Sequence, residues 1–173
     1  MLSPIARSLL GIPEGEPLPT DLAVLYDTHF AGRSYQTRFR EGWTFLPRGH
    51  KVEDGYDTCL EHLTAQCWIF MDSEFKVYVE GDAPIQLASS YISLIEADAI
   101  LVGSVATGTS RRGFGQFPSM EAFLAAHGDY VQGWEEAPFA DPAFGRFFLG
   151  PRSVIGLSRF YSAEYLISAI EYF

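Results

Sequence analysis

The chain has 173 residues, 47% of them hydrophobic and 15% aromatic, with a formal net charge of −10. This length fits one domain that buries a core without disulfides or a structural metal, and the composition argues for a folded globule rather than a disordered segment. No stretch approaches the roughly 18 apolar residues of a membrane span, and the acidic excess repels nucleic acid and anionic lipid surfaces alike.

Ser3 and Pro4 open a short helix that ends near Leu10, since proline is well placed in a first helical turn. The apolar run here is too short for a secretory signal and breaks at Pro13. Residues 11–19 read as a turn-rich connector, and Thr20 as the cap of a helix reaching His29, with Leu22, Leu25 and Tyr26 on one face. Residues 42–46 read as a strand stopped at Pro47, and the polar stretch 48–63 as a loop. Residues 67–71 and 75–80, aromatic and β-branched, form a predicted hairpin around Asp72, Ser73 and Glu74. Residues 84–88 are extended, and Ser89 or Ser90 then caps an amphipathic helix over YISLIEADAILV. Residues 103–115, rich in Gly and Ser, read as the most flexible internal segment. A further helix begins near Ser119 with Met120, Phe123 and Leu124 on its apolar face. The last 44 residues are aromatic, which favours core over an exposed patch. Within them SAEYLISAIEYF has helical spacing at Tyr165, Leu166, Ala169 and Ile170.

Charge is distributed unevenly. Residues 53–98 hold ten acids and one base, Lys76, and so carry −9 of the net −10. Such a segment attracts and steers a basic protein partner, or serves solubility alone by keeping copies of the chain apart. The candidate partner-binding residues are therefore Glu53, Asp54, Asp57, Glu61, Asp72, Glu74, Glu80 and Asp82.

Motifs for chemistry are missing. The four histidines form no HExxH or paired-ligand spacing, and Cys59-x-x-His62 supplies two ligands where a structural zinc site needs four. The phosphate-loop order GxxxxGK[ST] and the GxSxG elbow are both lacking. The two cysteines, Cys59 and Cys67, read as reduced thiols of a cytoplasmic protein. The motifs thus give no ground to expect a metal, a cofactor or a catalytic site.

Leu18, Pro19, Leu22, Leu25, Tyr26 and Gly32, followed by residues 43–46, 67–71 and 75–80 and then the serine-capped stretch PIQLASSYISLIEADAI, form a pattern that resembles the SUKH superfamily, the Smi/Knr-like proteins. The resemblance spans about residues 3–102. It implies an α+β fold, an antiparallel sheet packed with helices, here with an aromatic-rich C-terminal extension over about residues 103–173 of a single 1–173 domain. It also implies a bacterial immunity protein that neutralises a cognate toxin by covering its active site. A regulatory scaffold is the alternative, and a small enzyme with an unrecognised site a more distant one.

Overall fold

The computed structural model describes residues 2–37, 42–50, 52–62, 68–79, 84–105, 110–139, 141, 145–158 and 166–173. Two short helices come first. The Ser3 hydroxyl accepts the Ala6 N–H at 3.2 Å and Pro4 fills the first turn of α1 (Pro4–Leu9). Helix α2 (Leu22–His29) is capped by Asp21, whose carboxylate accepts the Val24 N–H at 2.9 Å, and not by Thr20 as expected. A carboxylate at this position also complements the helix dipole.

Seven strands follow: β1 (Ser34–Tyr35), β2 (Trp43–Phe45), β3 (Val52–Glu53), β4 (Tyr56–His62), β5 (Trp68–Met71), β6 (Val77–Val79) and β7 (Ile85–Ala88). They form one antiparallel sheet in the order β1-β2-β4-β5-β6-β7, with β3 beside β4. The 48–63 loop is thereby corrected, since most of it is β3 and the seven-residue β4. A register shift at Cys59 breaks the two-residue alternation of β4, and four of its seven residues are Asp57, Thr58, Glu61 and His62, so its strand pattern is hidden.

Helix α3 (Tyr91–Ser104) starts at Ser90, whose hydroxyl accepts the Ser93 N–H at 3.2 Å. The second sheet is built from β8 (Arg111–Phe117), β9 (Glu135–Glu136), β10 (Gly145–Leu149), β11 (Val154–Ser158) and β12 (Ile167–Tyr172), in the order β8-β12-β11-β10-β9. Helix α4 (Met120–His127) and a 3-10 turn (Gly128–Val131) lie between β8 and β9. Two further expectations fall here. The stretch 103–115 ends α3 and begins β8 rather than forming one loop, with 106–109 outside the described residues. The C-terminal helix is instead strand β12 from Ile167 onward, while residues 162–165 lie outside the described residues.

The molecule is α+β, with helices packed on antiparallel sheets. One cluster of buried side chains joins α1, α2, α3 and the inner face of the first sheet to Phe147, Val154 and Tyr172 of the second. Its centre is aromatic. Phe30 meets Phe45 edge-on at 5.0 Å between centroids and Tyr91 at 4.7 Å, and Tyr26 meets Tyr91 at 5.0 Å. Edge-to-face pairs of this kind add roughly 0.5–1.5 kcal/mol each beyond burial. The Tyr26 hydroxyl reaches the carbonyl oxygens of Leu46 and Cys59 at 2.7 and 3.0 Å, and Tyr91 donates to the Leu22 carbonyl at 2.7 Å, so neither phenol is left unsatisfied. A second cluster lies on the other face of the second sheet, where Phe123 and Val131 meet Phe148, Ile155, Leu157, Ile167 and Ala169. The aromatic C-terminal residues described here divide accordingly. Phe147, Phe148 and Tyr172 are buried, whereas Tyr130 and Phe173 are exposed.

Candidate protein-binding surface

The acidic segment folds into two adjoining turns. Between β3 and β4, Asp54 (φ +50°) and Gly55 (φ +84°) make a two-residue hairpin turn, with Glu53 opposite Tyr56 and Val52 opposite Asp57. Both turn residues are left-handed, a combination that suits Asp-Gly. Between β5 and β6, the Asp72 carboxylate accepts the N–H groups of Glu74 and Lys76 at 2.9 and 3.0 Å and the Tyr78 hydroxyl at 2.9 Å. Burial, followed by this bond to Asp72, pushes the Tyr78 phenol up to about 12. The register sets Asp57 opposite Met71, and Met71 opposite Val77, so both turns lie at the same end of the sheet. Tyr56 and Tyr78 confirm the closeness, with rings 5.0 Å apart.

Of the eight candidate carboxylates, Glu53, Asp54, Asp57, Asp72 and Glu74 gather at this end. Glu61 does not. It sits at the opposite end of β4, opposite Trp68, and accepts the Trp68 indole N–H at 3.2 Å. Glu80 and Asp82 lie outside the described residues. The five also differ in what they do. Asp72 is spent on its own turn, and Asp57 accepts the Gly49 N–H, which pins the 46–50 loop to β4. Glu53, Asp54 and Glu74 are exposed, and Glu74 pairs with Lys76. These three form the accessible part of the acidic end.

One participant was not found from sequence. Asp27 of α2 joins the same end through Arg48, whose guanidinium donates to it at 2.8 Å and lies 5.9 Å from the Phe75 ring. That hydrogen bond holds Asp27 below the usual aspartate range. Asp27 and Arg48 lie outside the acidic segment and 21 residues apart, so only the packing of α2 on the loop brings them together.

The two faces of the first sheet have different neighbours. On β5, Ile69 and Met71 are buried and face the helices, while Trp68 and Phe70 alternate to the other side. The register extends that outer face to Thr58 and Tyr78, both level with Phe70, and to Glu61, level with Trp68. Tyr56, Trp68, Phe70 and Tyr78 belong to neither core cluster, and the buried apolar residues of α1, α2 and α3 cluster with the inner face.

The remaining chemical candidates are structural in their setting. Cys59 is buried at the β4 bulge, its thiol points to the Ile69 carbonyl at 3.3 Å, and burial raises its pKa. Cys59 and His62 are on β4 rather than a loop, and the His62 ring packs edge-on to Trp43. A groove of about 630 Å³ between α1, α3 and residues 137–139 is lined by Ile5, Ile92, Ile100, Phe139 and Leu149. Glu96 also lines it, and accepts the Ser3 N–H at 2.6 Å. Among the described residues no helix is long and apolar enough to cross a membrane. Comparison of the chain with family models, with curated proteins and with solved structures finds no match.

Proposed function

We propose that this chain is a cytoplasmic, non-enzymatic protein-binding module of the SUKH kind. It acts as a bacterial immunity protein that neutralises a cognate toxin by covering a basic active-site surface. The observation that carries this reading is the gathering of Glu53, Asp54, Asp57, Asp72 and Glu74 at one end of the first sheet, with Glu53, Asp54 and Glu74 open to solvent. A field of one sign steers an oppositely charged partner and accelerates its encounter. The element order gives further support: a capped α2, then the antiparallel sheet, then a serine-capped α3, in the succession that the resemblance implies.

The experiment is co-expression with the toxin encoded by the neighbouring gene. Host survival and a stoichiometric complex on co-purification support the reading; continued killing of the host by an active toxin overturns it. Stopped-flow mixing then isolates the electrostatic part. The association rate is expected to fall about tenfold between low and physiological salt, with little change in the dissociation rate.

A further inference from the structure

We propose that the outer face of the first sheet is a docking surface for an arginine-bearing segment of a protein partner, an inference that rests on reading the chain as a protein-binding module. The face is carried by β4, β5 and β6. Phe70 stands between Thr58 and Tyr78, Trp68 stands beside Glu61, and Tyr56 lies against Tyr78 at 5.0 Å. These four aromatic side chains are half-buried around the buried Thr58 and belong to neither hydrophobic cluster. A sheet face with helices on one side and half-exposed aromatics on the other has the composition of an interface centre, where Trp, Tyr and Phe are enriched.

Charge decides the occupant. The face carries Glu61 at one end and Glu53, opposite Tyr56, at the other. Just before β6, Lys76 is held by Glu74 at 2.5 Å. A second copy of the chain would set these carboxylates against their own kind, and an anionic lipid or nucleic acid would be repelled. A guanidinium answers both features together, since it stacks on an aromatic face and donates to a carboxylate from its edge. An ammonium makes the charge contact without the planar stack, so arginine is preferred to lysine.

The test uses the full chain and two synthetic peptides of equal length and charge, alternating Arg with Ser or Lys with Ser, titrated with backbone amide and indole resonances followed by NMR. The Arg peptide is expected to bind about threefold tighter than the Lys peptide. Its shifts should centre on β4–β6 and the Trp68 indole. Phe70→Thr and Glu61→Gln should each weaken it about threefold, while Glu135→Gln on the second sheet should leave it unchanged. Glu61→Gln keeps an acceptor for Trp68, so it remains informative should Phe70→Thr fail to fold. Equal affinity for both peptides, shifts confined to the Asp54 and Glu74 turns, or no binding would each overturn the proposal. The neighbouring toxin separates the two claims. A toxin complex that tolerates Glu61→Gln and Phe70→Thr sinks the docking face and leaves the immunity reading standing. Arg-peptide binding on this face without any toxin complex does the reverse.

Discussion

Gly145 opens β10 at φ +155°, and a Cβ there would overlap the Leu157 carbonyl oxygen on β11. Because the obstacle is backbone, it cannot swing aside. Gly145→Ala is therefore expected to destabilise the protein by at least about 2 kcal/mol, read as a lower urea midpoint. Asp27 makes a milder case. Arg48 holds its carboxyl below the ordinary value, so the folded state binds that proton less readily than the unfolded one. Its stabilising contribution is complete above the unfolded aspartate pKa and is lost as pH falls through the depressed folded value. Both partners are about two-fifths exposed, at 45% and 40%, so solvent screening keeps the contribution below about 1 kcal/mol. The stability difference between wild type and Asp27→Asn, measured by urea titration across pH, should be present at pH 7 and vanish below the folded pKa.

Asp141 shows how the elements depend on one another. Its buried carboxylate accepts both the N–H and the hydroxyl of Ser89, at 2.8 and 2.7 Å, where β7 hands over to α3. A residue from the C-terminal half thus fastens the entry to the helix that anchors the first sheet. Asp141→Ala is expected to cost about 2–3 kcal/mol, by removing two hydrogen bonds to a charged group. It should also speed amide exchange from Ser89 through the first turn of α3, and unchanged exchange there would refute the role. The helices were largely readable because their signals are local: Ser3, Ser90 and Ser119 each cap through a bond to an N–H three residues on. The strands were less so. In β12 both faces are buried, because the two clusters cover both faces of the second sheet, and its apolar residues Ile167, Ala169, Ile170 and Tyr172 fit a helical spacing as well as a strand.

For the whole molecule the governing quantity is its charge of −10. Carboxylates gathered at one sheet end repel each other in the folded state, and salt screens that repulsion over a length of about 10 Å at 0.1 M. Addition of moderate sodium chloride is expected to raise the thermal midpoint by a few degrees while slowing association with a basic partner. Neutralising Glu53, Asp54 and Glu74 together as amides should reproduce both effects without salt. A triple variant with unchanged midpoint and unchanged association rate would show that the acidic end exerts no such field.

The sequence alone determined the acidic segment, the helices capped by Ser3, Ser90 and Ser119 and the β5–β6 hairpin, since caps, turns and periodicities act within a few residues. Tertiary structure alone decided that Glu61 leaves the acidic end for Trp68, that Asp27 joins it through Arg48, and that Trp68, Phe70 and Tyr78 share an outward face. Those outcomes depend on strand register and on helix packing, which couple residues far apart in the chain. A one-residue slip in strand register would send the same side chains to the opposite face.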